Sequence, residues 1–385
     1  MAALNVAGPA AIPRSPQAPD APIAFHLPAM PDMEAFLDDA RAIVRSGRLS
    51  EGPYVRELEE RLSPWLADRA IVAVSNASDG LVAALVVLAR PGCEVIIPGF
   101  TFYATWQAVV WAGMTPVVVD VTDDGLIDPD AVAAAITPQT GAILAVHLTG
   151  SLAPMRPLRM LADRNGLALI VDAAHAIGAR DGDLTTGSAG DAEVVSIGAT
   201  KQVAAGEGGA VTVRDPDKVS GMRRFKLQGR EAGAMDVLGA GMNLRLGELT
   251  AALALRQLDG LSEQLARRRA IHERYATAVA DLPLRLSGTG SGTTSAHKDQ
   301  LVWPDDPADR ACLRRALAEA GIETKRYYEV AIPDLTAFSG RVESADRSRA
   351  LAARSFAIPI HGRLEDHEVE RVIAAIVGFY RYWSR

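Results

Sequence analysis

The chain is predicted to fold as an α/β protein: a mostly parallel central sheet with helices on both faces, plus a smaller C-terminal α+β unit. Three observations predict it. From about residue 71 to residue 213, short β-branched apolar runs alternate with segments of helical period, the pattern of strand–helix–strand units. The runs are apolar almost throughout, not at every second residue, so both faces of each strand are buried. Small, polar and charged residues gather directly after the runs, and open sheets of this kind bind ligands beyond the carboxyl ends of their strands.

Residues 33–48 carry Ala35, Phe36, Ala40, Ile43 and Val44 at helical spacing, with Gly47 as the stop. A turn around Gly52 and Pro53 leads to an amphipathic helix at 55–66. Residues 71–74 read as a buried strand. Asn76-Ala77-Ser78-Asp79-Gly80 then turns the chain into a helix at 81–88. That turn offers free backbone N–H groups and the Ser78 hydroxyl at a helix N-terminus, where a phosphate binds well. A plain N-cap by Ser78 or Asn76 accounts for the same residues. Strand 94–98 empties into Gly99-Phe100-Thr101-Phe102-Tyr103-Ala104-Thr105, whose aromatics suit either core or the wall of a flat ring.

Next come helix 106–112, strand 115–121 with Asp120 near its end, and helix 128–136 opened by Asp128-Pro129. Strand 142–147 ends at His147, helix 155–165 is stopped by Gly166, and strand 167–171 runs into Asp172-Ala173-Ala174-His175. Val194-Val195-Ser196-Ile197 is another apolar run. Lys201 follows it among small polar residues, and Gly206-Glu207-Gly208-Gly209 leads into strand 210–213. After a helix at 216–226, residues 228–241 are glycine-rich, irregular and long enough for a functional loop. A long helix runs from Asn243 to about residue 261, and helix resumes over 267–280. Residues 287–294 form a low-complexity loop that continues to about residue 296. Val302 and Trp303 open the small unit, with helix 309–320, extended segments 322–328 and 357–360, and a last helix at 365–379. The expected division is a disordered or loosely attached arm over 1–24, a large unit over 25–262 and a small unit over 263–385.

Composition excludes several function classes. Of 385 residues, 49% are hydrophobic and 23% charged, an ordinary globular balance. Forty basic residues face 47 acidic ones, a net charge of −7 with no basic block, so nucleic acid is not an expected partner. No apolar run reaches membrane-spanning length. The two cysteines, Cys93 and Cys312, are too few for a disulfide framework or a zinc site and fit a reducing cytoplasm. The first two dozen residues lack the charged start and apolar core of a signal peptide. No Gly-Lys-Ser/Thr loop is present, and no Gly-x-Gly-x-x-Gly follows the first strand, which removes P-loop and dinucleotide readings. His147 and His175 have no second ligand at close spacing; no metal is expected, and both read as supporting or stacking residues.

A lysine held among apolar groups has a lowered pKa, and its neutral amine can form a Schiff base with a carbonyl. Lys201 alone reads equally as a loop lysine with its charge in water. Combined with Asp172 at another strand end and the turn at Asn76 to Gly80, it points to pyridoxal phosphate. That cofactor needs a lysine for its aldehyde, a carboxylate to keep its ring nitrogen protonated, N–H donors for its phosphate and an apolar wall for its ring. Asp172 precedes Lys201 by 29 residues, room for one connection and one further strand.

With those residues in hand, the sequence resembles the DegT/StrS-type sugar aminotransferases, a branch of the fold type I PLP-dependent transferases. The matching stretches are Pro98-Gly99-Phe100-Thr101-Phe102-Tyr103-Ala104-Thr105, Ile136-Thr137-Pro138-Gln139-Thr140, Val146-His147-Leu148, Asp172-Ala173-Ala174-His175-Ala176, and Gly187-Ser188-Ala189-Gly190-Asp191-Ala192. Thr200-Lys201, Gly206-Glu207-Gly208-Gly209, Asn243-Leu244-Arg245 and Ile358-Pro359-Ile360-His361 follow in the same order. The resemblance implies that Lys201 carries the cofactor and then shuttles the proton, and that Asp172 pairs with the ring nitrogen. It places Phe102 on the ring face and His175 near the ring oxygen. It implies phosphate contacts from Ala77, Ser78 and Ser196, and from Asn243 toward the cofactor of a second subunit, hence a homodimer with shared sites. The implied reaction takes an amino group from glutamate or glutamine, through pyridoxamine 5'-phosphate, to a ketone of a nucleotide sugar or cyclitol.

Departures from the family pattern are Ala77 for the usual Gly, Val171 for an acid, Gln202 for Asn, Thr149 for Tyr and Thr250 for Gln. They touch the substrate wall more than the cofactor site. A dehydratase branch replaces the lysine with His, and Lys201 argues against it. Two alternatives stay open: a carbanion reaction other than transamination on a non-sugar substrate, and a regulator that binds the cofactor without turnover.

Overall fold

The computed structural model describes residues 21–288 and 293–383. In chain order its strands are β1 (Ala70–Val74), β2 (Glu94–Pro98), β3 (Thr115–Val119), β4 (Thr140–Val146), β5 (Ala168–Asp172), β6 (Arg180–Asp181), β7 (Leu184–Thr185), β8 (Ala192–Ser196), β9 (Gly209–Val213), β10 (Leu284–Leu286), β11 (Thr293–Thr294), β12 (Gln300–Pro304), β13 (Arg341–Val342) and β14 (Phe356–Ile358). Eight of them form one sheet in the order β1-β9-β8-β5-β4-β2-β3-β13. All neighbours pair in parallel except β9, which runs antiparallel between β1 and β8. The expected mostly parallel sheet is therefore what the chain builds.

Successive strand residues point to opposite faces, and both faces are covered. Ile96, Val117, Ile143 and Val171 pack with Leu58, Leu158 and Leu258 on one side. Val95, Val118, Leu144 and Ile170 pack with Leu85, Val109 and Met222 on the other. A second sheet, β10-β12-β14, has its own core, in which Val302, Phe356 and Ile358 meet Tyr275, Leu313, Leu317 and Val372 from the C-terminal helices. No helix of the described residues is long and apolar enough to cross a membrane.

Several elements differ from the sequence expectation. The helix after β1 is Ala77–Leu88, four residues longer at its start, because Asn76 caps it by accepting the Asp79 N–H at 2.9 Å. The next helix is Tyr103–Trp111, so Thr105 falls on its first turn. The expected long helix after Asn243 is Glu248–Asp259, and Gly260 separates it from Leu261–Val279. A helix at Asp346–Arg354 and strand β13, which adds an eighth strand beside β3, were not foreseen. Residues 322–328 form only isolated bridges, Ile322 with Ile23 and Lys325 with Ala357.

Of the stretch read as a loose arm, residues 1–20 lie outside the described residues. Residues 21–24 need correction: Ile23 is fully buried, its N–H donates to Gly321 at 2.8 Å, and Arg371 donates to the Ala21 carbonyl at 3.0 Å. The apolar side chain at 23 belongs to the core beside the β10-β12-β14 sheet, which fixes the chain there. Within the low-complexity loop, residues 289–292 lie outside the described residues; Thr293–Thr294 pairs with Arg180–Asp181.

Candidate active site

Strands β5 and β8 are parallel neighbours, with Asp172 opposite Val194. Asp172 closes one strand, and Lys201 follows the other after a short loop. The loop is held by the Lys201 N–H on the Gly198 carbonyl (2.9 Å), Ala205 on Ile197 (2.9 Å) and Ile197 on Gly208 (3.0 Å). The parallel pairing thus brings these two residues to one end of the sheet, as the sequence suggested.

Asp172 is 7% exposed. Its Oδ2 accepts from the Thr105 hydroxyl at 3.0 Å and its Oδ1 from the Ala174 N–H at 3.2 Å. Burial raises its pKa above the usual carboxylate range, although both donors, Lys201 and His147 pull it back. Among the described residues it makes no ion pair, and a buried carboxylate in that condition gains from a cation at hydrogen-bond distance. A protonated ring nitrogen is a group of that kind.

Lys201 is shifted from 10.5 to about 8, first by burial and then by the Lys298 ammonium; Asp299, Asp172 and Glu207 oppose the shift. A lowered ammonium pKa releases the amine, so its reactivity rises with pH and levels off once the proton is gone. In cofactor-free protein, acetylation of Lys201 by trace acetic anhydride, read by peptide mass spectrometry, is expected to reach half its plateau near pH 8 and to level off above that. A solvated lysine reaches half its plateau only at about pH 10.4.

Two of the candidate phosphate residues, Ala77 and Ser196, meet at Gly209. It pairs with Ser196 across β8 and β9. A Cβ on Gly209 would come within 2.8 Å of the Ala77 nitrogen and 3.0 Å of its Cα. Ala77 and Ser78 open the Ala77–Leu88 helix, whose first N–H groups have no partners within the helix. Gly209→Ala would push the helix start away from Ser196. It is expected to cost about 1–3 kcal/mol of stability and to weaken pyridoxal phosphate binding about tenfold or more in a fluorescence titration. Pyridoxal, which lacks the phosphate, should be affected much less.

Phe102 precedes the Tyr103–Trp111 helix and is 40% exposed. Its ring lies 3.9 Å from that of Tyr103 and 6.4 Å from that of Tyr328, so an aromatic wall forms at the strand ends. The His175 carbonyl accepts from Gln202 Nε2 at 2.8 Å, which ties the loop after β5 to the lysine loop. Burial and the nearby Lys201 hold the His175 imidazole neutral, its pKa well below the usual value.

Asn243 is exposed, and its Oδ1 accepts from Arg245 Nε at 2.8 Å. Among the described residues no hydrogen bond joins it to the other candidates. Of the two readings of His147, supporting or stacking, its contacts fit the supporting one. Its Nδ1 accepts the Ala153 N–H at 3.0 Å, and its Nε2 lies 3.6 Å from Glu193, whose carboxylate also accepts from Gly187, Ala189 and Gly190. It braces the sheet beneath the site.

Sequence reasoning missed four participants. Thr105 lies one helical turn after Thr101, with their hydroxyls 3.1 Å apart, a spacing that could have flagged it. Gln202 appeared only as a departure from a pattern. The buried pair Lys298–Asp299 gave no signal, because adjacent opposite charges read as a solvated loop. Among the described residues no three His, Cys, Asp or Glu side chains converge as a metal site.

The chain matches the family model described as the DegT/DnrJ/EryC1/StrS aminotransferase family over residues 31–377. Solved structures agree. DesI, determined in the presence of its TDP-sugar product, is 33% identical, with 94% of each chain covered and a TM-score of 0.87. DesV of S. venezuelae, in complex with a ketimine intermediate, is 34% identical over 90% of this chain and 94% of its own, with a TM-score of 0.85. The PLP form of the putative sugar aminotransferase Spr1654 from Streptococcus pneumoniae is 25% identical over 94% of this chain and 99% of its own, with a TM-score of 0.85.

Proposed function

The chain belongs to the DegT/DnrJ/EryC1/StrS aminotransferase family and is an aminotransferase; from that premise we propose that it uses pyridoxal phosphate to aminate a ketone of a nucleotide sugar or cyclitol. Glutamate or glutamine is the proposed donor, and the working form is a homodimer. The observation that supports this reading is the buried Asp172, with its pKa raised and no ion pair among the described residues, on the strand next to the one that delivers Lys201.

When bound, the cofactor supplies an electron sink for the pair left when a C–H bond next to nitrogen breaks. The protein's residues do the rest. Asp172 would face the ring nitrogen, while Thr105 and Ala174 hold its carboxylate in place. The Ala77 and Ser78 N–H groups and the Ser78 and Ser196 hydroxyls would hold the phosphate at the helix start. Phe102 would cover one ring face, and the neutral His175 would stand by the ring oxygen. Asn243 would serve the phosphate site of a second copy, which is why the reading requires a dimer. Nζ of Lys201 would hold the cofactor's aldehyde carbon and would take and return the proton at the substrate carbon. A group near pH 8 can both take and return that proton in neutral solution.

The test is spectroscopic. Adding glutamate or glutamine to the cofactor-loaded protein should bleach its visible band, and a keto sugar or keto cyclitol from a panel should restore it. A band that neither donor changes would rule out transamination with these donors.

A further inference from the structure

Lys298 and Asp299 lie just before β12, and each is 2% exposed. Lys298 Nζ is 2.8 Å from Asp299 Oδ1, while Asp299 Oδ2 is buried without a partner. Burying two full charges is costly unless geometry and hydrogen bonds compensate, and here the compensation is incomplete. The surrounding backbone is firmly placed. The Lys298 N–H donates to the Thr149 carbonyl at 2.8 Å and the Ala296 N–H to Gly150 at 2.9 Å. Arg268 Nη1 donates to the carbonyls of His297 (3.1 Å), Lys298 (3.0 Å) and Ile360 (2.5 Å). Gly150 has φ +107°, and a Cβ there would lie 2.8 Å from the His297 nitrogen. Thr149 and Gly150 follow β4, the neighbour of β5 that ends in Asp172. The pair is thereby pinned over the end of the sheet that carries Asp172 and Lys201.

The charged groups facing Lys201 are Lys298 and Asp299 from this segment, Asp172 from β5 and Glu207 from its own loop. His175, from the loop after β5, faces both Lys201 and Asp299. Lys298 is the only one of these charges that repels a proton from Lys201, and its effect exceeds that of any one carboxylate. Burial lowers the Lys298 pKa, Arg268 and Lys325 add to that, and Asp299 opposes it through the hydrogen bond to its Oδ1.

We propose that Lys298 and Asp299 are positioning residues for Lys201: they form a buried ion pair fixed against the residues after β4, whose ammonium faces the reacting amine and whose carboxylate holds that ammonium in place. Together with burial, that ammonium favours the neutral amine. The inference rests on the reading of Lys201 as the reacting amine. It assigns a role to two residues that need not touch the cofactor.

Acetylation of Lys201 in cofactor-free protein, followed against pH, tests it. Near neutral pH, Lys298→Met should slow labelling about tenfold, because the repulsion is gone and Asp299 now attracts the proton. Lys298→Arg keeps the charge and should match the parent. The double variant Lys298→Met, Asp299→Asn should fall between them, since it removes the smaller, opposing effect as well. An unmoved profile in Lys298→Met, or a double variant as slow as the single one, would overturn the proposal. Circular dichroism checks folding. Should Lys298→Met fail to fold, the neutral double variant carries the test, and a profile equal to the parent's would overturn it. A chain that shows the expected order yet takes up no pyridoxal phosphate would defeat the proposed function and leave this inference standing. Cofactor uptake with flat profiles would do the reverse.

Discussion

Lys201→Arg is expected to lower amino transfer by at least ~10⁴-fold, from the combined loss of the covalent amine and the proton carrier. The guanidinium stays protonated at any working pH, so it can neither attack an aldehyde nor accept a proton from carbon. No neighbouring amine can substitute, since Lys298 is committed to Asp299 at 2.8 Å. The fold should persist, because the Lys201 loop is held by backbone bonds from Lys201, Ala205 and Ile197. The measurement is kcat with either donor and a reactive keto substrate, beside a melting curve. A variant that retains a tenth of the parent activity would remove Lys201 from the reaction.

Asp172→Asn is the second large effect. The amide matches the carboxylate in shape: its oxygen can keep the Ala174 N–H, and the Thr105 hydroxyl, which also meets that of Thr101, can turn to accept from its NH2 group, so stability should change little. What disappears is the negative charge that would hold a ring nitrogen protonated. Without it the electron sink weakens, and the half-reaction with glutamate should slow by ~10³-fold, within the range seen when a charge-stabilising group is removed. Uptake of pyridoxal phosphate should remain measurable, because Lys201 and the phosphate residues are untouched. Stopped-flow spectroscopy separates the two steps. Equal loss of uptake and half-reaction would mean that Asp172 serves only the fold.

What could be read from the sequence was set by periodicity. Runs such as Val95-Ile96-Ile97 and Leu169-Ile170-Val171 are apolar on successive residues because both sheet faces are covered, and that pattern exposes their ends. Asp172 and Lys201 were legible because each follows such a run and no charged neighbour competes with it. The helix at Asp346–Arg354 was not legible: among its residues only Ser348, Leu351 and Ala352 are buried, too few to produce a period. β13 is two residues long and gains its place only by pairing with β3. The start of the Ala77–Leu88 helix depended on whether Asn76 would cap it, which a sequence containing both Asn76 and Ser78 leaves open. Lys298 and Asp299 escaped for a different reason. Their burial comes from Thr149, Gly150 and Arg268, residues distant in the chain, and nothing local marks it.

Borohydride reduction of the cofactor-loaded protein, followed by peptide mapping, tests the central claim most directly. The account predicts one reduced pyridoxyl group, fixed to Nζ of Lys201. A label on any other lysine, or a loaded protein that borohydride leaves unlabelled, would contradict it.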